Sequence, residues 1–277
     1  VTSPLIIYHA NCVDGWTAAW VAYRHADPEL HAAHYGDASP DVRERSVFVV
    51  DFSYPRETLI DMYEKSLSLR VLDHHSTAAA DLEGLPFCTF DMERSGAGLA
   101  WDILETGPRP WLVDYVEDRD LWRWALPNSR AVSAYIATQP FTIEAWDALA
   151  ALRVEDVVER GRAVLSYVER RVESMVERAA RGWLSHQVDA DTLAYEPCAV
   201  VNCTGEMSEV GNTLASKHPF AALWFQNAEG EYIYSLRSDA SNPEHVDVSV
   251  IAKLFGGGGH KHAAGFKVRA PVHTRSR

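Results

Sequence analysis

The feature that most constrains this chain is an alternation, in its first third, of short apolar β-rich runs with helical patterns. Leu5-Ile6-Ile7-Tyr8 reads as a buried strand, and a turn at Gly15 leads into a helix over Trp16–His25. Val47-Phe48-Val49-Val50 reads as a second strand, followed by a helical stretch that Pro55 opens and that runs to Leu67. Leu69–Leu72 and Phe87–Phe90 are the third and fourth strands, and Gly96–Leu104 a helix. Short apolar β-rich runs that alternate with helices point to a largely parallel sheet with helices on both faces, so the fold class is α/β with a mainly parallel sheet.

The polar residues fall at informative places within that pattern. His9, Asp14, Asp51, Asp73, His74 and His75 all stand at or just beyond the C-terminal ends of expected strands. Open α/β sheets hold their ligands there. Two divalent cations side by side can bind a phosphate, activate a water and stabilise a leaving oxygen, and they need carboxylate and imidazole donors. A mixed His/Asp shell suits Mn²⁺ and similar borderline ions, whereas Mg²⁺ and Ca²⁺ prefer oxygen alone and a thiolate-rich shell points to zinc. The set His9, Asp14, Asp51, His74 and Asp118 fits the mixed case.

Further along, Val154 to Ala180 carries apolar residues at three- and four-residue spacing with Arg and Glu between them, a long amphipathic helix. The stripe suits a connector packed on a domain, and it is also long enough for a coiled-coil homodimer. Beyond Tyr195 strands resume at Ala199–Asn202, Ala221–Phe225, Tyr232–Leu236 and Ala264–Val268, with helices at Glu209–His218 and Val248–Phe255. The expected organisation is an N-terminal domain over 1–125, a helical connector over 126–190 and a smaller α/β domain over 191–277. A chain of 277 residues, 47% of them apolar, can bury cores of that number.

Charge narrows the partners. The net charge of −13 argues against coating long nucleic acid through one basic face. Arg237–Arg277 holds seven Lys/Arg against three Asp/Glu, which leaves −17 for the remainder, an acidic body with a basic end. In that end Gly256–Gly259 precede His260 and Lys261, so backbone N–H groups of Gly257, Gly258 and Gly259 could form an anion-binding nest beside the His260 side chain. Arg237 closes a strand, where a guanidinium could grip phosphate bidentately. Charged residues interrupt every apolar stretch well short of ~18 residues, so no membrane span is expected. Val1–Ala10 lack a secretory signal, and the four sparse cysteines show no disulfide framework, which together suggest a cytoplasmic, reducing setting.

Several motifs resemble one superfamily. Leu72-Asp73-His74-His75-Ser76 matches the signature of the DHH phosphoesterases, and Asp51 in Val49-Val50-Asp51-Phe52-Ser53 matches their second motif. His9–Gly15 (HANCVDG) looks like the first motif, and Asp118 in Glu117-Asp118-Arg119-Asp120 looks like the fourth, with Asp120 as its competitor. Gly256–His260, running on to Ala263-Ala264-Gly265-Phe266, resembles the glycine-rich motif of the DHHA1 domain. The resemblance implies that Asp51 bridges two cations, with His9 on the first and Asp14, His74 and Asp118 on the second. It implies that Asp73 acts from behind the ligands, that His75 faces the substrate phosphate, and that Arg237 and Gly257–His260 grip the substrate. The family's first motif usually carries two aspartates two residues apart, and Cys12 stands where the earlier one would fall. That departure leaves open whether the first cation uses Asn11 or Cys12, binds weakly, or arrives only with substrate.

By this resemblance the expected activity is Mn²⁺-dependent hydrolysis of phosphodiesters in short oligonucleotides or dinucleotides. Two ions would act, and Mg²⁺ or Co²⁺ would serve as substitutes. Hydrolysis of polyphosphate or pyrophosphate is the runner-up. A non-catalytic nucleotide sensor, which Cys12 motivates, and a nucleic-acid-binding module are the other classes. Long duplexes are not expected as partners.

Overall fold

The computed structural model describes residues 3–24, 27–187 and 192–275. The expected helix end at His25 and the tail residue Arg277 lie outside these. The chain divides into two compact units, Val1–Leu165 and Ser166–Arg277.

In the first unit the elements run β1 (Leu5–His9), α1 (Val13–Tyr23), β2 (Glu29–Ala33), β3 (Ser46–Val50), α2 (Arg56–Lys65), β4 (Ser68–Asp73), α3 (Ser76–Asp81), β5 (Cys88–Phe90), α4 (Gly96–Leu104), α5 (Trp111–Asp120), α6 (Ser129–Ile136), α7 (Ile143–Ala150) and the start of α8 (Val154–Glu177). The five strands are parallel throughout, in the order β2-β1-β3-β4-β5. Their side chains alternate between two cores. Ile6, Val50 and Leu72 face α1, α4 and α5, while Leu5, Ile7, Val47, Val49, Leu69 and Val71 face Leu59 and Met62 of α2. Each such side chain, taken fully out of water, contributes ~1.5–3 kcal/mol.

Helix α1 is buried from Asp14 through Ala22, and α7 contacts two of its polar side chains. Trp20 Nε1 donates to Asp147 Oδ1 at 2.8 Å, and Trp146 Nε1 donates to Thr17 Oγ1 at 3.1 Å. Both partner residues sit on α7. Residues 126–150, expected within a connector, therefore form α6 and α7 and bury Val132, Ile136, Trp146 and Leu149 in the core of the first unit.

The second unit contains the rest of α8, then β6 (Ala180–Gln187), β7 (Leu193–Asn202), α9 (Met207–Ala215), β8 (Ala221–Gln226), β9 (Tyr232–Arg237), α10 (Val248–Leu254), β10 (Gly258–His260), β11 (Ala263–Val268) and β12 (His273–Arg275). Its sheet has the order β10-β11-β9-β8-β7-β6-β12 and is antiparallel except for the pair β7 and β8. Val172 of α8 and Val210 and Leu214 of α9 cover one face, and Val248, Ile251 and Ala252 of α10 cover the other. The long helix stops at Glu177, and Ala180, read from the sequence as its end, opens β6 instead.

Candidate metal centre

In the order β2-β1-β3-β4-β5, successive strands run outward in opposite directions from the gap between β1 and β3. That switch point is where an open α/β sheet leaves a crevice at the C-terminal strand ends. His9 ends β1, Asp51 follows β3, and Asp73, His74 and His75 end and follow β4, so three adjacent strands deliver them side by side.

Asp51 is the centre of the group. It is buried and holds a left-handed backbone, φ +53°, which a non-glycine residue adopts at a cost of ~1–3 kcal/mol. Its N–H donates to Leu72 O at 2.9 Å, which anchors the turn on the neighbouring strand. Its Oδ1 lies 3.1 Å from His74 Nε2 and its Oδ2 3.6 Å from His9 Nδ1. Oδ1 is fully buried and accepts no well-formed hydrogen bond. Two glycines allow this arrangement. A Cβ on Gly96 would stand 2.4 Å from Asp51 Cβ, and one on Gly15 would stand 2.5 Å from His9 O and 3.1 Å from Asp51 Oδ2.

Asp14 enters from the first turn of α1. Its Oδ2 accepts from Gly96 N at 2.6 Å and its Oδ1 from Ala97 N at 3.0 Å, so the N-terminus of α4 holds it. Ser95 caps the same helix, its Oγ accepting from Gly98 N at 3.2 Å. His74 Nε2 lies 3.8 Å from Asp14 and 3.5 Å from Asp120. Behind these, His75 Nδ1 meets Asp73 Oδ1 at 2.7 Å, and Ser53 Oγ donates to Asp73 Oδ2 at 2.6 Å.

Several groups of donors result, and two of them share no residue. The atoms of His9, Cys12 and Asp51 lie within 4.8 Å of one another, and so do those of Asp14, His74 and Asp120. Donors that each stand ~2.0–2.4 Å from a common ion span such distances.

The electrostatics ask for positive charge. Burial, followed by the charges of Asp51 and Asp120, pushes the Asp14 carboxyl well above its ordinary value. Burial also raises Asp120, against the nearby charge of His74. Burial opposes a proton on His74, but Asp51, Asp120 and Asp14 outweigh it and raise the imidazole. Burial alone would raise Asp51, yet His74 and His9 hold it below the carboxylate range. Burial would likewise raise Asp73, and His75 and Ser53 keep it low. Burial and the charges of Asp51, Asp120 and Asp14 hold the Cys12 thiol well above its usual value. Three crowded carboxylates, together with imidazole and sulfur donors, fit divalent cations.

The sequence expectation for the fourth motif needs correction. Asp118 is not in either set. Its Oδ1 accepts from Ala125 N at 2.8 Å, and its Oδ2 from Leu126 N at 3.4 Å and from Ser129 Oγ. Those three donors tie down the loop that enters α6, and Asp120 supplies the carboxylate beside His74. Tyr35 was not foreseen either. Exposed on the loop after β2, its ring lies 5.4 Å from that of His9 and 6.2 Å from that of His75.

In the second unit, Ala263 of β11 pairs with His260 on one side and Arg237 on the other. The register puts these two residues on one face of the sheet, two strands or ~9–10 Å apart. Arg237 Nη2 donates to Ser208 Oγ at 3.0 Å. The glycine run is less a nest than expected. Gly258 and Gly259 pair with β11 as an edge strand, and a Cβ on Gly257 would stand 2.1 Å from Gly265 O. Close backbone packing is what these glycines serve.

No family model matches the sequence. An uncharacterized protein of Acanthamoeba polyphaga mimivirus is 27% identical over 287 residues, covering 94% of this chain and 66% of that protein. The chain thus spans just under two thirds of that relative's length. The exonuclease RecJ, in a manganese-bound crystal structure, superposes with a TM-score of 0.50 at 16% identity over 95% of this chain and 85% of RecJ. The fold is RecJ-like. A pGpG-specific phosphodiesterase, PggH of Vibrio cholerae, aligns with a TM-score of 0.48 at 12% identity over 96% of this chain and 93% of its own. The α/β architecture is the one expected from the sequence, a parallel sheet in one unit and a mixed sheet in the next.

Proposed function

We propose that this protein is a metal-dependent phosphohydrolase that cleaves phosphodiester bonds in dinucleotides or short oligonucleotides. The observation that carries this reading is the pair of adjacent donor sets, His9/Cys12/Asp51 and Asp14/His74/Asp120, joined by the 3.1 Å contact of buried Asp51 with His74. His9, Cys12 and Asp51 would hold one cation, and Asp14, His74 and Asp120 the other. Mn²⁺, or Mg²⁺ or Co²⁺ in its place, supplies water activation and neutralisation of phosphate charge when bound.

The protein's own groups do the rest. Asp51 is fixed by its strand-end turn and would hold the first cation beside His74 of the second set. Asp73 orients His75 through the 2.7 Å contact and stabilises its charged form, so that His75 can hold a proton toward a phosphate oxygen. Burial opposes that charge on His75, and the Asp73 carboxylate overrides it. Arg237 and His260, on one face of their sheet, would bind substrate phosphates. The −17 charge outside Arg237–Arg277 offers little to a trailing polyanion, which favours short substrates. No helix among the described residues is long and apolar enough to cross a membrane, and all four cysteines are free thiols, in keeping with a reducing, cytoplasmic setting.

The test is a Mn²⁺-dependent hydrolysis panel of dinucleotides, mononucleotides, short and long single strands, duplex DNA, polyphosphate and pyrophosphate. Dinucleotides should be turned over with a higher kcat/KM than a strand of about 20 nucleotides, and duplex DNA should be inert. Turnover of polyphosphate without regard to a nucleobase would move the assignment to anhydride hydrolysis. Tight dinucleotide binding without turnover would make the protein a sensor.

A further inference from the structure

Cys12 occupies the N-cap position of α1, with φ −120° and ψ 131°, yet its side chain makes no capping hydrogen bond. It is a free, half-buried thiol and belongs to neither apolar core of its unit. Its Sγ instead shares a space of 4.8 Å with an imidazole nitrogen of His9 and a carboxylate oxygen of Asp51. The second set, Asp14, His74 and Asp120, contains only nitrogen and oxygen. The two cation positions are therefore unlike in donor chemistry.

We propose that Cys12 is a metal ligand, so that the first position is a thiolate site selective for a thiophilic divalent ion of the zinc or cobalt kind, while the second takes a harder ion such as Mn²⁺ or Mg²⁺. The inference rests on the reading of the Asp51 cluster as a metal centre. On binding, the Cys12 S–H bond breaks, the proton passes to solvent and the sulfur electron pair forms the bond to the ion, with no change of oxidation state. Sulfur donors favour Zn²⁺ and Co²⁺ over Mg²⁺, and affinity for a mixed site rises along the first-row series toward these ions. Two unlike ions in adjacent donor sets would let the positions fill separately.

The experiment titrates the chelator-stripped full chain with Co²⁺ and follows thiolate-to-cobalt charge transfer in the near ultraviolet, with Zn²⁺ and Mg²⁺ as competitors. The wild type should develop the band for one cobalt per chain, Zn²⁺ should abolish it and Mg²⁺ should not. Cys12→Ser should remove the band and weaken Zn²⁺ binding on the order of ten-fold or more, while a cobalt without sulfur character still binds. Asp120→Asn should keep the band, because it alters only the second set. Cys12→Asp, which restores an oxygen donor, should lose the band and bind Mn²⁺ more tightly, and it guards against a Cys12→Ser chain that fails to fold. Cobalt bound by the wild type without the band, or a band that survives in Cys12→Ser, overturns the thiolate site and leaves the metal centre standing. A wild type that binds no cobalt, zinc or manganese overturns both.

Discussion

The two units handle charge in opposite ways. In the first, Asp14, Asp51, Asp73 and His74 are buried at strand ends and helix starts, and a left-handed turn fixes the central carboxylate. In the second, Arg237 and His260 are half-buried on strands, held by an ordinary ladder that runs through Ala263. Buried like charges cannot coexist without a counter-ion, whereas half-exposed basic groups tolerate solvent. Under the proposed function, the difference would give chemistry to the first unit and substrate binding to the second.

The sharpest way to break this contrast is Asp51→Ala. Removing the carboxylate that belongs to one donor set and lies 3.1 Å from His74 of the other should lower kcat by at least about 10³-fold, with a circular dichroism spectrum like that of the wild type. Near-normal Mn²⁺-dependent turnover would end the site assignment.

The next contrast lies within α5. Asp120→Asn should weaken metal binding measured by calorimetry and leave the melting temperature of the stripped protein unchanged or raised, because it relieves carboxylate repulsion. Asp118→Ala should do the reverse. It orphans two donors in the loop before α6 and one at the start of α6, and should cost about 1–3 kcal/mol of stability with metal stoichiometry intact. Equal effects of the two variants on metal binding would restore Asp118 as a ligand.

Smaller effects are expected from the second unit. Arg237→Ala and His260→Ala should each raise KM about ten-fold with a lesser change in kcat, since they remove binding shared by ground and transition states. Unchanged KM in both would take substrate binding away from this face.

The smallest effect is a pH dependence. His74 and His75 have raised folded values, so the stability they contribute is fully present below about pH 6.5 and is lost as pH rises through those values. The raised carboxyls of Asp14 and Asp120 lose stability in the same direction, beginning above about pH 4. The lowered carboxyls of Asp51 and Asp73 act oppositely, but their contribution is complete by about pH 5. A bound cation replaces the departing protons. Saturating Mn²⁺ should therefore raise the melting temperature more at pH 9 than at pH 6, by at least about 4 °C. A shift that shrinks with pH would show that the cluster does not hold the ion.

The sequence revealed the parallel sheet because β1 and β3 carry apolar runs, and β4 one broken only by Arg70, that stop at polar residues. It concealed β2, whose Glu-Leu-His-Ala-Ala run is an edge strand that needs no apolar face on its open side. It also could not separate Asp118 from Asp120. Two residues apart on a helix, they point to nearly opposite sides, and only the neighbours of α5 decide which meets His74. The demands on Gly15 and Gly96 were hidden for a related reason. That on Gly96 comes from Asp51, 45 positions away along the chain, and that on Gly15 first from His9 and then from Asp51, 36 positions away. The motifs named the donors, and the packing chose among them.

The α7 contacts bear on how the molecule can be taken apart. Trp146 fills space beside α1 and passes a hydrogen bond through Thr17 to Val13 O, one residue from Asp14, while Asp147 receives the Trp20 indole. A protease nick or truncation after residue 125 would strip these supports from the helix that presents Asp14. The shortest fragment able to fold with its ligands in place should therefore extend to Leu165. Limited digestion should spare the whole stretch before it.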